Sequence, residues 1–355
     1  MGSPPPNGCH PPGGAQWSPD RKIVNPIIDL EKGELPTEKT LGLHWDCEKD
    51  TFIFKIDFKH TASKSEILRA VTSIHDPLGF IAPITFKAKR IIQKAWQLNL
   101  EWDDPIPPKL GSRWETWGNK LSWLKNLHIP RCFKPRSEVP SEVSLHICCD
   151  ASKKGFGTVV YIRIRYNTTM NISLVAAKSS VALLKGLIIP RLRFQGAVLG
   201  LRLSEVIRKE IRGKIDYIKF WVDSTTVLNW IHAKTFKFHE FASNSISEIL
   251  ERSHSSQWRH IPGRLNPADE ASRGLSACEL IEHHRWFRGP DFLIQSEENW
   301  PPRHRTCDPS ADDPEIKPMT DRHVAAVISK SPFPMDTILT WCSRTWSSLR
   351  RATCF

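Results

Sequence analysis

The chain has 355 residues, of which 40% are hydrophobic and 25% charged. This composition is typical of a globular protein and excludes a wholly disordered one. No run approaches the ~18 consecutive apolar residues of a membrane helix, and the N-terminus does not read as a secretory signal, so we expect a cytoplasmic or nuclear protein with no membrane partner. The net charge of +12 slightly favours a nucleic acid as the partner over a basic protein that has none.

The N-terminal half predicts a small hairpin followed by helices. Residues 1–38 are rich in Pro and Gly and are expected to be disordered. Two short apolar runs at 41–45 and 51–58 predict a β-hairpin. Helical spacing then predicts three helices: one capped by Ser63 or Ser65 and ending near Ile74, one over 84–98 with Trp96 on its apolar face, and one over 110–127 with Trp114, Trp117 and Trp123. The proline-containing stretch 129–140 predicts a linker.

Strands and helices alternate in the C-terminal half. Strands are expected at 143–149, 157–165, 172–177, 216–222 and 257–261. Helices are expected at 190–212, 224–231, 244–252 and from 267 onward. This alternation predicts an α/β domain with a mixed sheet that is flanked by helices. Beyond residue 289 the sequence is rich in Pro, and only 322–328 and 335–349 look helical.

Three aspartates stand where they can meet. Asp150 and Asp223 each end an apolar strand, and Asp269 lies in the first turn of a helix. Taken singly, Asp223 is explained as a helix cap and Asp269 as a favourable first-turn charge. Taken together, they converge at one edge of a sheet, where carboxylates suit a magnesium ion.

The order of these segments resembles the Pol polyprotein of BEL/Pao-type long-terminal-repeat retrotransposons over about residues 39–301. The resemblance is carried by Ile189-Pro-Arg-Leu192, Asn266-Pro-Ala-Asp-Glu-Ala-Ser-Arg-Gly274 and the segments 73–83, 96–102, 286–290 and 296–301. It implies a reverse transcriptase tail and connection region over 39–128, mainly helical with the β-hairpin. It further implies a ribonuclease-H-like domain over 141–275 and a partly disordered C-terminal extension over 276–355.

The resemblance implies that Asp150, Asp223 and Asp269 are catalytic residues that bind Mg²⁺ or Mn²⁺. The fourth carboxylate of the family is a Glu that follows Pro-Arg-Leu, and here that position holds Arg193. Glu205 lies roughly 18 Å further along the same helix and is not expected to replace it. We expect Arg193 to pair with Asp150 or Asp223, to weaken metal binding, and so to impair cleavage of the RNA strand of RNA–DNA hybrids.

Two other functions stay open from the sequence. The chain contains no Tyr-x-Asp-Asp sequence, so no polymerase palm and no DNA synthesis are expected. A nucleic-acid-binding remnant that cleaves nothing would use the same fold and the same basic surface. An inert product of a decayed element would fold poorly.

Overall fold

The computed structural model describes residues 37–40, 43–56, 58, 63–133, 139–167, 169–183, 188–233, 238–282, 284–305, 307–309, 313 and 315–317. Of the segment 1–38 that is expected to be disordered, residues 1–36 lie outside these residues, whereas residues 37 and 38 belong to a strand, so the prediction is wrong for those two. The expected helices at 322–328 and 335–349 also lie outside the described residues. No helix in the described ranges has both the length and the apolar character to cross a bilayer.

A small antiparallel sheet contains the predicted hairpin. Its strands are β1 (Thr37–Thr40), β2 (Leu43–Asp46), β3 (Thr51–Ile53) and β4 (His128–Pro130), in that spatial order. The hairpin of β2 and β3 is confirmed, and the prediction that 129–140 is only a linker is wrong at its start. Ile129 of β4 lies opposite Phe52 of β3, and both are buried. Pairing of two apolar residues that are 77 positions apart gives no local sequence signal.

Three helices follow the hairpin, as predicted: α1 (Lys64–Ser73), α2 (Ala82–Gln97) and α3 (Pro108–Asn119). Ser63 caps α1, since its hydroxyl accepts the Glu66 backbone N–H in a reciprocal capping box. Two expected core tryptophans are instead exposed, Trp96 by 46% and Trp123 by 48%. After α3 the chain tightens into a 3₁₀ helix over Lys120–Asn126. Its three residues per turn carry Trp123 off the apolar face.

The larger sheet has five strands in the order β7-β6-β5-β8-β9. The strands are β5 (Glu142–Ser152), β6 (Gly155–Arg165), β7 (Met170–Val181), β8 (Tyr217–Val222) and β9 (Trp258–His260). Strand β5 is antiparallel to β6 and parallel to β8. The predicted fold class, α/β with a mixed sheet flanked by helices, is therefore confirmed. Because β5 is central and covered on both faces, all of its residues between Glu142 and Ser152 are buried.

Six helices accompany this sheet: α4 (Ile189–Glu210), α5 (Thr225–His232), α6 (Glu240–Arg252), α7 (Ala268–Arg273), α8 (Ala277–Glu282) and α9 (His284–Arg288). Helix α4 packs closely on one face, where a Cβ at Gly200 would lie 2.4 Å from the Cys149 sulfur. The opposite face carries Trp286 and Trp300, both buried. The Trp286 indole N–H donates to the Phe80 carbonyl oxygen at 2.7 Å, which ties α9 to the loop before α2. Helices α8 and α9 were not predicted, because each is too short to show a periodic pattern.

Candidate active site at the carboxyl end of the central strands

Asp150 lies near the end of β5, opposite Gly157 of β6. The missing side chain at Gly157 lets α7 approach, since a Cβ there would lie 2.5 Å from the Cβ of Ala271. Asp150 is only 5% exposed, and its carboxylate accepts a hydrogen bond from the Ser272 hydroxyl on α7. The strand, the glycine and the helix together hold this carboxylate at the rim of the sheet.

Asp223 follows directly after β8, the parallel neighbour of β5. Cys149 aligns with Val222, so the next residues, Asp150 and Asp223, emerge at the same edge. The alternative that Asp223 serves only as a helix cap is wrong. Ser224 is the cap of α5, and its hydroxyl accepts the Val227 N–H at 3.3 Å. The Asp223 carboxylate is therefore left for another role.

Asp269 is brought to this edge by Asn266, which sequence reasoning did not single out. The Asn266 amide donates to the Cys149 carbonyl oxygen at 3.0 Å, and its own oxygen accepts the Ala268 N–H at 3.1 Å. This buried side chain fixes the start of α7 to the end of β5. Asp269 itself pairs with the guanidinium of Arg273, one helical turn later. Asn266 lies three residues before Asp269 in the sequence, but its role as a connector depends on the fold.

The three carboxylates lie close enough to affect one another. Burial raises the pKa of Asp150, and the negative charge of Asp223 raises it further. Burial also raises the pKa of Asp223, against the opposing positive charge of Arg193. The pKa of Asp269 is raised by burial, lowered by its hydrogen bond to Arg273 and raised by the charge of Asp150. The structure thus gathers all three predicted aspartates into one cluster.

Arg193 lies in the second turn of α4 and faces this cluster. Its Nη1 atom is 3.4 Å from the Ser224 hydroxyl, and its Nε atom is buried without a hydrogen-bond partner. No ion pair joins Arg193 to either Asp150 or Asp223 within the described residues, so the expected direct pair is not formed. Glu205 instead pairs with Arg252 at 3.0 Å, further along α4.

The carboxylate oxygens of the three aspartates suit a divalent cation, but the positions of these side chains do not. Buried carboxylates that repel one another are the groups that hold magnesium. Nevertheless, in the part of the chain that the structure describes, no group of three or more His, Cys, Asp or Glu side chains is placed to hold a metal ion. Asp269 is engaged by Arg273, Asp150 by Ser272, and a guanidinium acts on Asp223. As arranged, these residues do not fit a resident metal.

The family comparison matches residues 63–224 to the Pao retrotransposon-like RNaseH-like domain. The matched segment contains Asp150, Arg193 and Asp223 and ends before Asp269. The resemblance to BEL/Pao-type Pol polyproteins is confirmed, and the chain carries an RNase H-like domain. No curated protein matches the chain at a significant level.

Solved RNase H structures are similar in fold alone. The N-terminal RNase H domain of a Mycobacterium tuberculosis protein is 14% identical, covers 37% of this chain and 94% of its own, and has a TM-score of 0.27. An RNase H1 called LC11, solved in complex with an RNA/DNA hybrid, is 11% identical over 37% of this chain and 93% of its own, with a TM-score of 0.26. A foamy viral protease-reverse transcriptase in complex with dsDNA is 10% identical, with a TM-score of 0.23. The similarity covers 64% of this chain and 45% of the viral one.

Proposed function

We propose that this chain is a retrotransposon-derived RNase H-like protein whose ancestral reaction is metal-dependent cleavage of the RNA strand of RNA–DNA hybrids, and that Arg193 impairs this reaction. One observation carries the proposal. Asp150, Asp223 and Asp269 come from three distant parts of the chain and lie at one edge of the sheet, where their charges act on one another. Grouping partly buried carboxylates costs stability even where Arg193 and Arg273 offset part of their charge, so the cluster is a candidate functional site.

Arg193 changes the charge balance of this cluster by two units, from the −1 of a glutamate to +1. A guanidinium does not lose its proton in proteins, so this positive charge is permanent. It stabilises the ionised form of Asp223 and opposes any cation that approaches the same carboxylates. Mg²⁺ or Mn²⁺, for which Asp150, Asp223 and Asp269 are the available ligands, is therefore expected to bind weakly.

A second candidate function is nucleic-acid binding without cleavage. Two observations favour it, the net charge of +12 and the poor fit of the carboxylates to a resident metal. In this case the basic surface would neutralise backbone phosphates, and binding would weaken steeply with salt. Both candidates share a nucleic acid as the partner and differ only in whether the RNA strand is cut.

Cleavage of a labelled RNA–DNA hybrid in Mg²⁺ tests the proposal. The wild type is expected to be nearly inactive, and Arg193→Glu is expected to raise the cleavage rate by roughly 100-fold or more. Arg208→Glu, which makes the same charge change at an exposed position of α4, is the matched control and should gain nothing. Adding Asp150→Asn to Arg193→Glu should abolish the gain.

Two results would reject parts of this proposal. Robust cleavage by the wild type would show that Arg193 does not impair the reaction. If Arg193→Glu binds the hybrid and remains folded by circular dichroism but cleaves nothing, the chain is better described as a binding remnant.

A further inference from the structure

A polar cavity lies beside the carboxylate cluster. It has a volume of about 230 Å³ and is bounded by the end of α5, the 3₁₀ turn Ser255–Gln257, strand β9 and residues 303–304. Its polar lining consists of His232, Ser255, Ser256, Arg259, His260, Arg303 and His304. Residues 303 and 304 lie beyond the predicted RNase H-like segment, so the cavity is completed by the C-terminal extension.

Among the residues that the structure describes, no carboxylate lines this cavity. The rings of His260 and His304 lie 5.7 Å apart, and the positive charge of Arg303 acts on Arg259. Arg259 donates to Glu297 and to the Pro301 carbonyl oxygen, each at 2.8 Å, so this cation is neutralised from outside the cavity. Basic groups held together without an opposing charge attract an anion.

The size and chemistry of the cavity select the ligand. Pockets for drug-sized molecules begin at about 300 Å³, so this cavity suits a single small group and not a whole nucleotide. A metal ion is not favoured, because in the described ranges no set of three His, Cys, Asp or Glu side chains is placed to hold one. Guanidinium, imidazole and hydroxyl groups together match the oxygens of a phosphate.

We propose that the cavity formed by Arg303, His304, His260 and Ser255 binds a phosphate oxyanion. His260 lies opposite Val222 where β9 pairs with β8, and Asp223 is the next residue after Val222, so the cavity lies beside the carboxylate cluster. A backbone phosphate of a nucleic acid lying across the cluster is one source of this oxyanion, and free phosphate is the other. Binding of phosphate here requires no cleavage.

Titration of inorganic phosphate into the full chain tests the site, with chloride at equal ionic strength as the reference anion. Isothermal titration calorimetry should show saturable binding of one phosphate. Arg303→Gln should weaken it at least tenfold, and His304→Gln should weaken it less. Arg305→Gln is the matched control, because Arg305 is an exposed arginine two residues further along and does not line the cavity. The proposal is overturned if the wild type shows no saturable binding, or if the two arginine variants lose affinity equally.

Hybrid binding distinguishes the two sources. Each phosphate contact contributes about 0.9 to the slope of log K against log salt for a B-form duplex, so Arg303→Gln should reduce the slope by about 1 and Arg305→Gln should leave it unchanged. If Arg303→Gln abolishes phosphate binding but leaves the hybrid slope unchanged, the phosphate site stands and its ligand is free phosphate. These binding assays measure no cleavage, so their failure does not bear on the impaired reaction proposed above.

Discussion

The loop between α1 and α2 holds a carboxyl group that should make stability depend on pH. Burial raises the pKa of Asp76 to about 7, although the backbone N–H groups of Ile81 and Phe80 and the charge of Lys89 oppose this shift. The two N–H groups donate to the carboxyl oxygens at 2.8 and 2.9 Å and start α2. The Ala177 N–H on β7 donates to the Leu78 carbonyl oxygen in this loop at 2.8 Å. The loop therefore connects the helices to the edge of the larger sheet.

The native state holds the Asp76 proton more tightly than the unfolded state, so stability falls as pH rises from about 4 to about 7. A shift of about three pKa units corresponds to about 4 kcal/mol in full. Between pH 5 and pH 8 the same shift gives a loss of about 2.6 kcal/mol in the free energy of unfolding. Asp76 keeps some contact with solvent, which relieves part of its desolvation, so we expect a loss of about 1–3 kcal/mol.

Asp76→Asn mimics the protonated carboxyl group and should remove this dependence. Urea unfolding of both proteins at pH 5 and pH 8 gives the test, since all other titrating groups are shared and cancel in the difference. The variant should be close to the wild type at pH 5 and more stable by about 1–3 kcal/mol at pH 8. Asp291→Asn, at an exposed aspartate, is the control. If the stability difference between Asp76→Asn and the wild type is the same at both pH values, the reasoning is refuted.

Three further substitutions test the site and its supports. Asp150→Asn should raise the free energy of unfolding by about 1–2 kcal/mol at neutral pH, because it removes a buried charge whose pKa is raised, and this gain should vanish near pH 3. Glu315→Gln should cost about 2–4 kcal/mol, because the carboxylate is 1% exposed and pairs with Arg191 at 2.5 Å. A double-mutant cycle with Arg191→Gln that gives no coupling would contradict this. Trp286→Phe should cost about 2–3 kcal/mol in urea unfolding through the lost hydrogen bond to Phe80 and the void that remains, and a change below about 0.5 kcal/mol would count against that contact.

Much of the larger sheet could be predicted because its signals are local. Strand β5 contains the apolar residues Val143, Leu145, Ile147, Cys148 and Cys149 close together, and α4 shows helical spacing over 22 residues. Strand β4 could not be predicted, because three residues that include Pro130 have no pattern of their own and pair only when the helices between have folded. The exposure of Trp123 was also missed, because it depends on the tightening of the chain into a 3₁₀ helix and not on residue type.

The candidate site was likewise predicted only in part. Asp150, Asp223 and Asp269 were found because each stands at a predicted junction between a strand or turn and the next element. Asn266 and Ser272 were missed, although both lie in a segment quoted for its resemblance to the family. The hydrogen bonds of these two side chains join α7 and the turn before it to the end of β5, more than 110 positions earlier in the chain. Sequence patterns show which residues end a strand, but they do not show which side chain hydrogen-bonds a helix to that strand.

Arg193 places stability and metal binding in opposition at this site. Its neighbours on α4, Leu192 and Phe194, are buried, so the main packing of this turn comes from side chains other than Arg193. The electrostatic consequence differs. With arginine, the ionised carboxylate of Asp223 has a fixed positive neighbour, which offsets part of the repulsion among the aspartates without a cation. With glutamate, the repulsion would increase and only a bound cation would relieve it. If Arg193 replaced a glutamate, as proposed above, the same substitution would ease the repulsion among these carboxylates and weaken their binding of metal.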